Sequence, residues 1–265
     1  MPRPHRPRRI TGAGAAAALL VLSACSASGS DSSAESGGQG VTGAVTVFAA
    51  ASLKESFTTL GERFEEEHPG TEVTFNFGGS DGLAAGIDSG APADVFAAAS
   101  AKTMKLVTDE GLTAGSPSTF ARNRLEIATV PGNPHAIDSL EDLTASGLKV
   151  VLCDETVPCG AAARTALAAG GVELEPVSYE QDVKSALTKV ELKEADAAVV
   201  YRTDVKAAGD KVEGVEFPES AEAVNDYPIA LLENAPNPSA AEEFVALVKS
   251  PEGRKVLGGA GFLKP

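Results

Sequence analysis

From Val45 onward the chain alternates short apolar runs with amphipathic ones so regularly that few architectures can accommodate it. Runs of strand type lie at 45–49, 72–77, 93–97, 125–130, 148–152, 196–200, 215–217 and 227–232. In the second of these, Val73, Phe75 and Phe77 share one face by period two. Between the runs, apolar residues recur at helical spacing. Leu53, Phe57, Leu60 and Phe64 form a stripe that stops at His68-Pro69-Gly70. Further helices are expected to begin at Ser80, Ser100, Asp138, Cys159, Glu180, Asn237-Pro238 and Ser250-Pro251. Such alternation predicts an α/β chain built on mostly parallel sheet with helices on both faces.

The body after residue 44 is long for one small doubly wound sheet and suits two lobes. No Pro/Gly-rich linker divides its middle, so the chain is expected to cross between lobes and later return. The runs at 125–130 and 227–232 are the natural crossing strands. Lobe one then comprises 45–123 plus 230–265, and lobe two 124–229. In open α/β sheets ligands bind outside the carboxyl ends of the strands, so the cleft between lobes is the expected site.

The amino terminus reads differently. Arg3, Arg6, Arg8 and Arg9 precede a small-apolar run from Ala15 to Leu22, closed by Leu22-Ser23-Ala24-Cys25. A basic start, a short apolar stretch and small residues before a cut site form a secretory signal over 1–24, too short for a spanning helix. The cysteine after L-S-A resembles a bacterial lipobox, which implies acylation of Cys25. Residues 25–43 are Ser/Gly-rich and read as a flexible tether. Its span is on the order of 20 Å, enough to hold a body just off a membrane. Loss of the four leader arginines takes the net charge from −15 to −19. That acidity excludes nucleic acid and an electrostatic grip on anionic lipid. With Cys25 assigned to lipid, Cys153 and Cys159 make an even pair, suited to a disulfide; two free thiols or half a metal site are the alternatives. Only His5, His68 and His135 are present, and they complete no metal cluster.

Five positions follow strands and open helices or loops. Ser52 ends the stretch Phe48-Ala49-Ala50-Ala51-Ser52, and Ser52-Leu53-Lys54-Glu55 has the form of a capping box. Ser80 lies in Gly78-Gly79-Ser80, where glycines allow close backbone approach to a ligand. Cys159 follows Val157-Pro158, Val183 follows Gln181-Asp182, and Tyr201 ends the run at 196–200. Free N–H groups and hydroxyls at helix starts bind anions. Each alone is an ordinary cap or turn. Their convergence, with no matching set of Lys or Arg, carries the reading.

Four motifs then carry a resemblance: Phe48-Ala49-Ala50-Ala51-Ser52-Leu53, Gly90-Ala91-Pro92-Ala93-Asp94-Val95-Phe96, Val157-Pro158-Cys159-Gly160 and Val199-Val200-Tyr201. In order and spacing they resemble the extracytoplasmic molybdate-binding proteins of ABC importers, from about residue 44 to Phe262. The resemblance implies a two-lobed type II periplasmic-binding-protein fold, its two sheets joined by two crossing strands, that grips molybdate or tungstate. It implies contacts from the hydroxyls and amides of Ser52 and Ser80, the amides of Cys159 and Val183, and the hydroxyl of Tyr201. It further implies a lipid-anchored, monomeric, non-enzymatic protein outside the cytoplasmic membrane, without a cofactor, delivering its ligand to a permease and ATPase.

Other readings stay open at this level. Phosphate is the cargo if Asp81, next to Ser80, faces the site and accepts a proton from a protonated oxyanion; sulfate is a further alternative, separated from molybdate by the size of the cleft. A thiol enzyme results if Cys159 is a free thiolate with His135 as base. A sensor or adhesion module is a further possibility. Lys54 and Arg164 are expected at the rim or in solvent, and Asp94 is expected to tie loop backbone together.

Overall fold

The computed structural model describes residues 41–265. The expected signal, Cys25 and the tether as far as residue 40 lie outside the described residues. Gly43 already stands in the first strand, so the tether ends short of the expected residue 43.

The chain proceeds through β1 (Gly43–Ala50), α1 (Lys54–Glu67), β2 (Thr71–Gly78), α2 (Ser80–Asp88), β3 (Val95–Ala97), α3 (Ala101–Asp109) and β4 (Ser118–Asn123). It continues through β5 (Leu125–Thr129), β6 (Val150–Cys153), α4 (Pro158–Gly170), β7 (Ser178–Glu180), α5 (Val183–Glu191), β8 (Ala197–Tyr201), α6 (Arg202–Ala208) and β9 (Glu213–Val215). Last come β10 (Asn225–Leu231), α7 (Pro238–Lys249) and α8 (Pro251–Ala260). The strands form two five-stranded sheets, ordered β2-β1-β3-β10-β4 and β7-β6-β8-β5-β9. Each is mixed: β10 is antiparallel to β3 and β4, and β5 is antiparallel to β8 and β9. The reversed strand occupies the fourth position in both orders, so four strands of each sheet run one way and the expected mostly parallel character holds.

In the first lobe α1, α7 and α8 cover one face of the sheet, and α2 with α3 cover the other. The expected stripe on α1 does this work: Phe57, Leu60 and Phe64 are fully buried, and Phe57 and Phe64 set their rings edge-on against Phe244 of α7. Alternation along the edge strand β2 turns Val73, Phe75 and Phe77 toward the same core. The second lobe packs small and branched residues around β6, β8 and β5, with alanines of α4 and α5 lying close on the sheet.

The lobes join where β4 passes through Asn123 and Arg124 directly into β5, and again where a one-sided 3-10 stretch, Pro218–Ala223, leads into β10. Neither expected crossing strand actually crosses. β5 is laddered wholly into the second sheet and β10 wholly into the first. The expected limit at 229/230 cuts through β10, whose Asn225 and Tyr227 already pair with Asn123 and Ala121 of β4. The apolar run was legible; which neighbour supplied its hydrogen bonds was not.

Other departures are local. β4, β7 and α6 were not anticipated, because short strands and a polar helix such as Arg202–Ala208 lack a periodic signature. The helix expected from Asp138 is one 3-10 turn, Glu141–Thr144. Asp142 draws the Asp138 N–H and the Ser139 hydroxyl to its own carboxylate, competing with helix formation. Nor does Ser52 form the capping box: it sits inside a single 3-10 turn, Ala51–Leu53, and its hydroxyl is taken elsewhere.

Candidate functional site

Each lobe presents strand ends and helix starts to the seam. Ser52 follows β1 and Ser80 opens α2 after β2, both in lobe one. Cys159 is the second residue of α4 behind Pro158, whose missing N–H suits the first helical position. Val183 opens α5, and Tyr201 ends β8. All five expected residues line one cavity of about 20 Å³ at the seam. A water needs roughly 10–15 Å³, so in this arrangement of the lobes the space suits a single compact guest.

The three hydroxyls are buried, with Ser52 4%, Ser80 1% and Tyr201 1% exposed. Each is already an acceptor for a protein donor or is in contact with one. The Ala99 N–H donates to Ser80 Oγ at 3.0 Å. Asn225 Nδ2 donates to Tyr201 Oη at 2.7 Å. Ser52 Oγ lies 2.8 Å from Tyr227 Oη. Donors filling the oxygen lone pairs leave the hydroxyl hydrogens for a guest. Burial pushes the Tyr201 pKa well above its ordinary value, so the phenol keeps its proton.

Backbone donors complete the lining. The N–H groups of the first helical residues have no partner within their own helix. In α5 the Asp182 side chain takes the N–H groups of Lys184 and Ser185, and its carbonyl accepts from Ala186. Val183, at the first helical position and in the cavity lining, takes no part in these bonds. At α4 the first internal bond runs from the Ala161 N–H to Val157 O, leaving the Cys159 N–H unused by the helix. α4 is seated tightly enough that a Cβ on Gly160 would fall 2.0 Å from Asp154 O. Three helix N-termini therefore point partial positive charge at one spot.

No lysine or arginine lines the cavity, and its one carboxylate, Asp182, is occupied by the N–H groups of α5 and the Ser185 hydroxyl. Asp81 does not line it either. It sits in the first turn of α2, where a carboxylate complements the helix dipole. Asp94 ties loops as expected, accepting from the N–H groups of Thr46 and Asn237. Arg164 pairs with Glu155, and Lys54 borders a separate groove outside the cavity.

The thiol-enzyme reading fails on connectivity. Cys159 is bridged to Cys153, with Cα atoms 5.8 Å apart, and His135 faces Asp196 at 3.4 Å. Among the described residues, no group of three His, Cys, Asp or Glu is placed to hold a metal ion.

The lobes approach each other closely beside the cavity. The Gly79 backbone passes so near Gln181 that a Cβ there would fall 2.5 Å from the Gln181 carbonyl oxygen. Lys184 of lobe two reaches both carboxylate oxygens of Glu55 in lobe one, at 2.8 and 2.9 Å, and lies 3.1 Å from the buried Asp204. Burial by itself would lower the Lys184 pKa, but Asp204 and Glu55 outweigh it and the pKa rises.

Sequence reasoning missed Asn123, Asn225 and Tyr227, which hold the hydroxyls from behind. The available signal was weak: polar Asn225 and Tyr227 share a face of β10 by period two, and Asn123 ends an unrecognised strand.

Residues 45–263 match the family model described as bacterial extracellular solute-binding protein. The chain is 45% identical over 256 residues to the molybdate-binding protein ModA of Mycobacterium tuberculosis, covering 95% of this chain and 97% of that one. It is 31% identical to the protein of that name from Escherichia coli, over 83% of this chain and 89% of the relative. The periplasmic molybdate-binding protein of Azotobacter vinelandii superposes with a TM-score of 0.75 at 22% identity, covering 83% and 99% of the two chains, and this shows the shared fold.

Proposed function

Because the chain belongs to the family of bacterial extracellular solute-binding proteins, we propose that it captures molybdate or tungstate between its lobes and delivers the anion to an ABC permease and ATPase. The family is one of binders rather than enzymes, and its members act outside the cytoplasm. Anchoring through an acylated Cys25 is part of the proposal, which rests there on the lipobox-like sequence alone.

The observation that carries the reading is a small seam cavity lined, among the described residues, by three hydroxyls and the starts of three helices, with no Lys or Arg and with its one carboxylate, Asp182, already occupied. Ser52, Ser80 and Tyr201 supply hydroxyls, and Cys159 and Val183 supply N–H groups. A tetrahedral dianion without protons asks for donors on every side. A protonated phosphate also needs an acceptor; Asp182 is occupied, and Asp81, whose Oδ1 is buried beside Gly79 with no hydrogen-bond partner among the described residues, stands outside the lining. Charge-assisted hydrogen bonds contribute about 1.5–3 kcal/mol each. Five of them supply the roughly 8–12 kcal/mol of a micromolar to nanomolar binder after ordering costs. Neutral donors also spare the empty cleft a buried, unpaired charge. Since they come from both lobes, the guest favours the closed form, which a transporter can recognise.

Calorimetry with molybdate, tungstate, sulfate, phosphate and chromate tests the proposal. Tight binding of molybdate and tungstate is expected. Binding of phosphate alone, or of none of the five, refutes it.

A further inference from the structure

Tyr227 is fully buried in β10 and lines no part of the cavity, yet it touches a residue that does. Its hydroxyl lies 2.8 Å from Ser52 Oγ and 3.4 Å from Asn123 Nδ2, and the Tyr201 hydroxyl stands beside it. The Asn123 contact fixes the direction of the Ser52 contact. Asn123 Oδ1 accepts from the Arg124 N–H at 3.0 Å, which orients the side-chain amide and turns its NH₂ toward Thr203 Oγ1, at 2.8 Å, and toward Tyr227. An NH₂ group only donates, so the phenol oxygen is an acceptor on that side. A buried phenol must place its own hydrogen somewhere; Tyr201 Oη beside it is already filled by Asn225 Nδ2, and Ser52 Oγ at 2.8 Å is the better-placed acceptor. Ser52 then receives a hydrogen from Tyr227 and has its own left for the cavity.

We infer that Tyr227, held by Asn123, is a positioning residue that points the Ser52 hydroxyl hydrogen at the bound anion. The inference rests on the reading of the cavity as an oxyanion site. The relay runs through the joint between lobes: Asn123 ends β4 where the chain crosses, Thr203 belongs to lobe two, and Ser52 and Tyr227 belong to lobe one. Without it, the serine hydroxyl is free to rotate and offers the anion a lone pair as readily as a hydrogen. The arrangement also parallels Tyr201, whose oxygen is filled by Asn225 Nδ2. A polar amide at each lobe junction thus sets the polarity of one hydroxyl.

A double-mutant cycle read by molybdate calorimetry tests the inference. Tyr227→Phe removes one oxygen and keeps the ring, which packs on Phe120, Tyr201 and Phe262. In the otherwise unaltered chain it should weaken molybdate about tenfold, or about 1.4 kcal/mol. In a Ser52→Ala background the same change should alter affinity less than twofold, because the group it acts through is gone. Equal losses in both backgrounds make Tyr227 a purely structural residue and overturn the inference, as does no loss in either. Asn123→Asp is the second variant: an acceptor in place of the NH₂ should reverse the relay and also weaken molybdate about tenfold or more. Unchanged affinity there likewise overturns it. Failure of the unaltered chain to bind molybdate at all would instead refute the proposed ligand, a separate result.

Discussion

Gly79→Ala isolates lobe closure from everything else the molecule does. Gly79 has φ −61° and ψ 131°, a conformation alanine adopts freely, so the change introduces no backbone strain. It should even stabilise the unliganded chain slightly, by about 0.4–1 kcal/mol, through the unfolded state. The conflict lies across the seam. The new Cβ would meet the Gln181 carbonyl oxygen at 2.5 Å and Val157 Cγ1 at 3.2 Å, both in lobe two. A third neighbour, Asp81 Oδ1 at 2.8 Å, ends a side chain that can swing aside. Backbone at 2.5 Å cannot yield that way. Overpacking of this kind costs typically 1–3 kcal/mol, and here only the closed form bears it. Molybdate affinity should therefore fall roughly 5- to 150-fold, at about 1.4 kcal/mol per decade. Calorimetry gives the affinity. Because the chain contains no tryptophan, closure is better followed by small-angle scattering with and without molybdate than by indole fluorescence. The variant should compact less on binding while its ligand-free melting temperature stays level or rises. Affinity within twofold of the parent, with the same compaction, would refute the claim that the lobes close to this distance around the ligand. A collapsed melting temperature without ligand would refute the claim that the conflict is confined to closure.

Other outcomes follow from the same geometry. Ser52→Ala and Ser80→Ala should each weaken molybdate by about 1–3 kcal/mol, and each should also lower ligand-free stability by about 1–3 kcal/mol because the buried Tyr227 hydroxyl or Ala99 N–H loses its partner, as measured by calorimetry and thermal melts. Glu55→Gln removes the interlobe pairing of Lys184 and, with Glu55 half-exposed, should weaken binding by no more than about 1 kcal/mol, less so as salt rises, in titrations at two ionic strengths. Burial pushes the Asp204 pKa from 3.8 up to about 6, against the opposing pull of Lys184. A raised folded-state pKa means this carboxyl's contribution is full below about pH 4 and lost as pH climbs through about 6. Relative to Asp204→Asn, the parent should therefore lose on the order of 2–3 kcal/mol between pH 4 and 7, read by denaturant melts. Replacing Cys153 and Cys159 together by serine should lower stability by about 2 kcal/mol, yet retain molybdate affinity to within a few-fold if, as proposed, position 159 offers only its N–H.

The sequence by itself determined a good deal here. Alternating periodicity is a local property, and it announced the strand and helix sequence, the α1 stripe of Phe57, Leu60 and Phe64, and the helix starts at Ser80, Cys159 and Val183. The same motifs named the five residues that converge on one cavity. What it could not determine was partnership. An apolar run such as 227–232 looks the same whichever sheet receives it, because long-range hydrogen bonds decide that. For the same reason Ser52 read as a cap for its own helix, when its hydroxyl in fact meets Tyr227, 175 positions later. Only the tertiary structure set Asn123 and Tyr227 behind one hydroxyl and Asn225 behind another, brought Lys184 to Glu55, and showed that Asp81 stands aside from the cavity. Those are choices about distance and direction between residues remote in sequence, and no local pattern encodes them.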